Sequence, residues 1–421
     1  MEKLIFHVDV NAAFLSWEAV YRLSHEQGTL DLREIPSAVG GDKQKRSGII
    51  LAKSTQAKRF GIQTGEPLGA ALKKCPSLVI VPPHYNLYEQ CSAQFFEILN
   101  RFAPVVEKYS VDEAYCDMTG TNGLYGSPVV AANLIKDTIH RELGFTVNVG
   151  ISNNKLLAKM AGDLKKPDMV HTLFPAEIKK KMWPLPVSEL FFVGRGTTKK
   201  LLTLGIRTIG DLANADPSML RAHLNKHGAI IHMFANGIDP GNVVATPPDN
   251  KGYGNSATIP HDIKTAEEAK LYLLSISETV STRLRKDNAV ISVVSVSITF
   301  FDFTHISHQE TLSRATNVTT EIYQSAVELF EYMWDKTTPI RQLGVHTAKA
   351  KKEDGIWQMD LFHTDFFERE KNLERAVDEI RGRFGNDSIK RACFVNHEVY
   401  HMIGGVGREK LSVDYDKVEV Q

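Results

Sequence analysis

The chain has 421 residues and a mass of 47.0 kDa, beyond the usual size of one domain, so several cores are expected. With 43% hydrophobic and 24% charged residues its composition is that of a folded globular protein and excludes a disordered one. Basic and acidic residues balance at 50 each, no apolar run is long enough to span a bilayer, and the N-terminus carries no long apolar leader, so neither membrane insertion nor secretion is expected. Residues 4–10 are apolar and β-branched and predict a strand carrying Asp9 near its end. Residues 12–23 place Phe14, Trp17 and Val20 or Tyr21 at helical spacing. Short strands follow at 35–39 and 49–51 around a Gly40-Gly41-Asp42 turn, then a short basic helix at 54–60. A strand at 78–81 stops at Pro82-Pro83, and a long amphipathic helix covers 86–101. Strands at 105–109 and 114–118 make a hairpin with Ser110, Val111, Asp112 and Glu113 near its turn, before a helix at 128–142 and a strand at 146–151. This is an α+β pattern, a sheet layered with helices.

After Lys166-Pro167-Asp168 strand-like runs fade, and the chain to residue 236 reads as short basic helices, which marks a domain boundary. A Pro/Gly-punctuated linker at 237–248 leads to strand, helix, two strands, helix and strand between 253 and 346, a βαββαβ module. The tail contains an amphipathic helix with Leu373, Ala376, Val377, Ile380 and Phe384 on one face and no evident catalytic constellation. The zero net charge conceals segregation. Residues 31–74 hold nine basic and four acidic side chains, residues 165–232 eleven and five, and residues 353–421 ten and fifteen. Such an arrangement suits a chain that grips a polyanion with some segments and holds cations with another. The four cysteines, Cys75, Cys91, Cys116 and Cys393, form no CxxC pair, which fits a reducing cytoplasm and argues against disulfides or a thiolate zinc site.

Three carboxylates on apolar strands call for an explanation. Asp9, Asp112 and Glu113, gathered by one sheet, would repel unless cations lay between them, and oxygen-only ligands suit Mg²⁺ or Mn²⁺. Two ions about 3.5–4 Å apart could activate a hydroxyl and stabilise the leaving oxygen of a phosphoryl transfer. Taken singly, Asp9 reads equally well as a cap and Asp112 as a turn residue. In the basic middle segment, Gly194 and Gly196 ahead of a helix, with Lys199 and Lys200, would let backbone amides approach a phosphate without reading a base.

The stretches His7 to Glu18, Tyr109 to Asp117 and Gly150 to Pro167 together resemble the palm motifs of Y-family DNA polymerases, the translesion type related to bacterial polymerases IV and V. Their order is that of the family, the resemblance runs from about residue 4 to 350, and residues 50–61 resemble most the Gram-positive branch. The resemblance implies a right-hand fold: palm 1–18 and 74–166, fingers 19–73, a helix-hairpin-helix thumb 167–236, a linker 237–248, a little finger 249–350 and a tail 351–421. It implies that Asp9 and Asp112 hold both of two Mg²⁺ ions, Glu113 the primer-side ion and the Val10 carbonyl the nucleotide-side ion, while Asp117 is structural. Phe14 becomes a steric gate that leaves no room for a ribose 2′-hydroxyl, next to Ala13, and Thr55, Lys58 and Lys166 meet the triphosphate.

Better-known members carry Tyr and Arg where this chain has Thr55 and Lys58, so the bidentate guanidinium contact is lost and Lys58 acts as a point charge. Lys53, Arg59 and Lys155 are nearby alternatives. Gly194, Gly196, Lys199 and Lys200 would hold DNA phosphates, and the little finger, with twelve basic and twelve acidic residues over 247–352, would touch DNA from one face. Gln358-Met359-Asp360-Leu361-Phe362 resembles the peptide with which bacterial polymerases bind the β sliding clamp, Gln358 by hydrogen bonds and Leu361 and Phe362 in an apolar pocket. The expected protein is a monomeric, cytoplasmic, nucleoid-associated bacterial polymerase that extends primed template DNA with deoxynucleoside triphosphates, at low fidelity and without proofreading. Two rivals are a catalytically idle DNA- and clamp-binding protein, which needs a broken carboxylate set, and a nucleotidyl cyclase, which leaves thumb and little finger without purpose.

Overall fold

The computed structural model describes residues 3–26, 30–41, 48–353, 364–395 and 397–403, with side chains from 369 onward in the tail helix. The chain divides into two units between Pro247 and Pro248. The first opens with β1 (Ile5–Val10), α1 (Ala13–His25), β2 (Ser37–Gly40), β3 (Ile50–Lys53), α2 (Thr55–Arg59), α3 (Leu68–Lys74) and β4 (Val79–Val81). It continues with α4 (Tyr85–Phe102), β5 (Val105–Lys108), β6 (Glu113–Asp117), α5 (Asn122–Tyr125), α6 (Pro128–Leu143), β7 (Val147–Ser152), α7 (Lys155–Asp163) and β8 (Val170–Thr172). Helices α8 (Ile178–Lys181), α9 (Arg195–Thr203), α10 (Ile209–Ala213) and α11 (Pro217–Ala235) complete it.

The main sheet runs β5-β6-β1-β7-β8. Its middle strand β1 is buried along its whole length, the polar His7 and Asp9 included. Phe6, Val8 and Val10 pack with Phe95, Ile98 and Leu99 of α4 and Ile135 and Ile139 of α6, whereas Ile5 meets Ala158 of α7 on the other side. There α7 lies directly on β7: a methyl group added at Gly150 would fall 1.9 Å from the Ala158 carbonyl oxygen and 2.3 Å from the Gly162 nitrogen. Both of these are backbone atoms, which cannot step aside as a side chain can. Gly150→Ala should therefore cost about 3 kcal/mol or more, read as a lower denaturation midpoint.

Two boundaries expected from the sequence move. β8 follows the predicted boundary at residue 166 yet pairs in parallel with β7, so the sheet continues through Thr172. A three-residue run after a proline is too short to show a period, and only the partner strand reveals it. Likewise β4, expected within the palm, pairs in parallel with β2 in a separate three-stranded sheet, β3-β2-β4. That sheet packs Ala38 and Ile50 against Ala57, Leu68 and Ala71 of α2 and α3. Past β8 the helical segment has a core of Leu173, Ile178, Leu201, Ile209, Leu212, Leu220 and Ile230, joined by Leu156, Leu157 and Met160 of α7.

The second unit holds β9 (Gly254–Ile263), α12 (Ala266–Lys286), β10 (Ala289–Phe300), β11 (His305–Thr316), α13 (Thr319–Met333), β12 (Ile340–Ala348), β13 (Lys351–Lys352) and α14 (Thr364–Phe384). β9 to β12 with their two helices follow the expected βαββαβ order, and the sheet runs β11-β10-β12-β9 with antiparallel neighbours. The third strand, β11, is twelve residues long and rich in polar Ser, His and Gln, because it lies on the exposed edge of the sheet. Tyr272, Leu273, Ile276 and Val280 of α12 and Ile322, Leu329 and Phe330 of α13 cover one face of the sheet.

The tail helix turns much of its apolar stripe outward. Leu373, Ile380 and Phe384 are 57%, 38% and 74% exposed, while Glu374 and Arg381 are buried. Ion pairs in place of apolar contacts dock α14 on its own unit. Arg285 of α12 reaches Glu374 at 2.5 Å and Asp378 at 2.5 Å. Glu278 of α12 accepts from Arg381 at 3.2 Å and from Arg391 at 2.5 Å, and the Glu374 carboxylate accepts from the backbone N–H of Thr319 at 3.0 Å.

Candidate active site

The main sheet brings the three carboxylates into one neighbourhood. Asp9 sits near the end of β1, opposite Glu113 of β6, and Val10 N–H donates to the Asp112 carbonyl at 3.0 Å, extending the ladder by one bond. The hairpin turn is fixed by Ser110, whose hydroxyl donates to Asp112 Oδ1 at 2.5 Å. Beyond Asn11 the chain bends through Ala12, a non-glycine residue in the left-handed region (φ 48°, ψ 50°), and enters α1 at once. Strain of about 1–2 kcal/mol at such a residue is retained where the turn matters, and here it carries Ala13 and Phe14 to the same cleft as Asp9.

That cleft encloses about 460 Å³ and is lined by residues 9–14, 51–55, Lys58, Thr64, Asp112, Lys166 and Pro167. Asp9, Val10, Ala13, Phe14, Thr55, Lys58, Asp112 and Lys166, all singled out from sequence, therefore share one cavity. Ser54 orients the basic wall. Its side chain caps α2 by accepting from Ala57 N–H at 3.0 Å and donates to the Ile35 carbonyl at 2.8 Å. The Lys53 ammonium is pushed below its ordinary pKa by burial and by the neighbouring positive Lys58. Mutually repelling cations along a cleft wall make an anion receptor.

Charge on the opposite wall is equally uncomfortable. Asp9 is 6% exposed, and burial, reinforced by the negative Glu113 and Asp112, raises its pKa to about 7 despite the ammonium of Lys166 beside it. Burial also raises Asp112. Lys166 is shared: it contacts Asp9 and lies 2.9 Å from Asp163. Burial opposes the ammonium, but the two carboxylates prevail and raise its pKa.

Glu113 is placed differently from the expected set. It does not line the cleft; its oxygens accept from Lys159 Nζ at 3.1 and 3.0 Å. Burial works against its ionisation, but the adjacent His7 ring and Lys159 outweigh it and hold the carboxyl at about 2. Lys159 also lies over the rings of Tyr109 and Phe191, at 5.4 and 5.5 Å from their centroids. Sequence reasoning missed Lys159; its only signal was a position four residues after Lys155 on one helix. Lys155 itself is removed from the triphosphate candidates, because its Nζ is bound to Glu107 at 2.9 and 3.0 Å. Lys53 lines the cleft and Arg59 does not.

Among the described residues no three His, Cys, Asp or Glu side chains converge as a ready metal cage. The donor set nevertheless fits hard divalent cations: the buried Asp9 and half-buried Asp112 carboxylates and the Val10 carbonyl, all oxygen, with their charge only partly balanced by a lysine. Elsewhere, Gly194 caps α9 and Gly196 lies in its first turn; both are exposed with open space around them, and Lys199 and Lys200 are exposed on the same helix. Gly194 has an ordinary φ of −82°, so its use is the missing side chain rather than backbone freedom. Gln358, Leu361 and Phe362 lie outside the described residues, and no described helix is long and apolar enough to cross a membrane.

Comparison with known proteins identifies the family. Residues 8–163 match the impB/mucB/samB family and residues 250–361 its C-terminal domain. DNA polymerase IV of Clostridium acetobutylicum is 43% identical over 399 residues, covering 94% of this chain and all of the relative. DNA polymerase IV of Clostridium kluyveri is 38% identical over 403 residues, covering 94% and 99%. Among solved structures, a Y-family DNA polymerase chimera of Dbh and Dpo4 superposes with a TM-score of 0.71 at 23% identity, over 83% of this chain and all of that one, which establishes the polymerase fold. With relatives of this similarity along nearly its whole length, the chain belongs to the impB/mucB/samB family, the bacterial polymerase IV group of Y-family DNA polymerases.

Proposed function

We propose that the cleft between Asp9, Phe14 and Lys58 is where this DNA-templated translesion polymerase joins a deoxynucleotide to a primer 3′-hydroxyl. The observation that carries the reading is the pairing, across one cavity, of two mutually repelling carboxylates, one buried and one half-buried, with a wall of mutually repelling lysines. A nucleoside triphosphate with its cations is the ligand that relieves both. Asp9 and Asp112 would hold two Mg²⁺ ions, with Val10 on the nucleotide side and Glu113 on the primer side. The chemistry such ions supply is a more acidic primer hydroxyl and compensation for charge on the transferring phosphate.

The chain's own residues do the rest. Lys58, with Lys53 and Thr55, receives the triphosphate as point charges and a hydroxyl rather than a guanidinium fork. Lys166 is positioned to exchange carboxylate for phosphate. Phe14, with Ala13 beneath the sugar, closes the space a 2′-hydroxyl would need. In this reading β5 to β8 with β1 form the palm, β2 to β4 with α2 and α3 the fingers, α8 to α11 the helix-hairpin-helix thumb, and the βαββαβ module the little finger.

Phosphate contacts then come from the amides at Gly194 and Gly196 and from Lys199 and Lys200. On the uncovered face of the second unit's sheet, His305, Thr299, Gln342 and Ser256 form a hydrogen-bonded row across all four strands, with links of 3.1, 3.4 and 3.2 Å. A neutral hydroxyl-rich face suits contact that does not read sequence. Recruitment by the sliding clamp through Gln358, Leu361 and Phe362 completes the proposal.

The test is incorporation of matched deoxy- and ribonucleotides on a primed template. Phe14→Ala should raise ribonucleotide use relative to deoxynucleotide by about tenfold or more, since removal of a ring that lines the cleft opens space worth over 1 kcal/mol. Unchanged selectivity would remove the gate from Phe14.

A further inference from the structure

Four residues after Phe14, on the same side of α1, lies a carboxylate that the reaction does not use. Glu18 is fully buried, and its oxygens face the Tyr88 hydroxyl at 2.7 Å, His84 Nδ1 at 3.0 Å and Arg22 Nε at 3.8 Å. Tyr88 comes from α4, is 2% exposed, and stacks its ring on that of Phe14, with centroids 4.4 Å apart and planes 11° from parallel. Trp17 stands 5.7 Å from the Tyr88 ring and 5.9 Å from Phe14, closing the remaining side.

The arrangement is a chain of contacts: Glu18 accepts from Tyr88, and Tyr88 supports Phe14. Burial, with Glu18 as hydrogen-bond acceptor, raises the Tyr88 pKa, so the phenol keeps the proton it donates. A carboxylate enclosed in a protein interior is costly unless its lone pairs are used, and a glutamine or an apolar residue would fill the space with less penalty. What the carboxylate gains over either is a strong, directional bond that stops the Tyr88 ring from sliding. A gate depends on that rigidity. Phe14 can exclude one oxygen atom only if its ring cannot retreat by about the radius of that atom, and stacking alone leaves lateral motion easy.

We propose that Glu18 is a positioning residue for sugar discrimination: through Tyr88 it fixes the ring of Phe14, and so sets how strongly ribonucleotides are rejected. The inference rests on Phe14 being the gate. Neither Glu18 nor Tyr88 lines the nucleotide cleft, so each acts through Phe14 rather than on the substrate.

The experiment measures kcat/KM for a deoxynucleotide and its ribonucleotide opposite the same template base, in the full chain and in Phe14→Ala, Tyr88→Phe and Glu18→Gln. Tyr88→Phe removes one oxygen and keeps the stack; it should raise ribonucleotide kcat/KM by about three- to tenfold, the effect of one hydrogen bond on position. Glu18→Gln should move in the same direction. A rise in ribonucleotide use is not what general damage produces, because damage lowers both rates. If Phe14→Ala relaxes selectivity while Tyr88→Phe leaves it unchanged, or lowers both substrates equally, the role assigned to Glu18 is overturned and the gate stands. If Phe14→Ala changes nothing, both ideas fall. Should Glu18→Gln melt too early to assay, Tyr88→Phe decides alone.

Discussion

Replacing Asp9 by Asn should stop primer extension, lowering kcat by about a thousandfold or more, about 4 kcal/mol in the barrier, while leaving DNA binding and the fold in place. The size follows from what the carboxylate does. It is 6% exposed, lies beside two other acidic residues, and has only Lys166 against it. Asn keeps its shape and part of its oxygen contact but supplies no charge to hold a divalent cation. For the same reason the variant should fold at least as well as the parent, because an ionised carboxylate buried among like charges costs stability. Asp112→Ala should show the same loss. Extension and melting are both needed: lost synthesis with an unchanged or higher melting temperature places Asp9 in the chemistry. Retained synthesis in both variants would transfer the reaction away from this cleft.

The second large effect concerns stability. Arg285→Ala should destabilise the second unit by about 3–5 kcal/mol, the usual cost of removing one partner from a buried ionic group. The Arg285 side chain is 9% exposed and serves Glu374, Asp378, the Asn317 carbonyl at 3.0 Å and Thr319 together. Its removal strands two acids against α12, one of them, Glu374, already raised in pKa by burial. Arg285→Lys should rescue little, since one ammonium cannot span two carboxylates and a carbonyl as a planar fork does. Urea unfolding gives the magnitude, and proteolysis near residue 384 reports release of the tail. A loss below about 1 kcal/mol would mean that the network behaves like an exposed surface pair.

The tail shows why some of this was hidden in the sequence. Helical spacing located α14 but could not say which side docks; Glu374 and Arg381 are buried because their partners, Arg285 and Glu278, wait about a hundred residues earlier. Periodicity carries no knowledge of such partners. β8 escaped, and β4 was found but not its sheet, for a related reason: the membership of such short strands is decided by pairing. The carboxylates stood out because they lie on strongly apolar strands, where charge is conspicuous, and Phe14 only because it stands five residues after Asp9, where the family resemblance places the gate. The Tyr88 contact with Glu18 spans 70 residues and joins two helices, so no local pattern could announce it.

Helix α7 belongs to two cores at once. One flank meets the main sheet through Ala158 and the close approach of Gly162 to Gly150, while Leu156, Leu157 and Met160 are part of the interior of the helical segment that follows. Helix α9, through Leu201, and the sheet that carries Asp9 are thus mounted on a common shaft. Tilting one against the other would open a packed interior, a motion costing far more than thermal energy. If Lys199 and Lys200 hold DNA phosphates as proposed, an advancing duplex would be passed from one phosphate to the next along a fixed helix instead of being carried forward by a moving one.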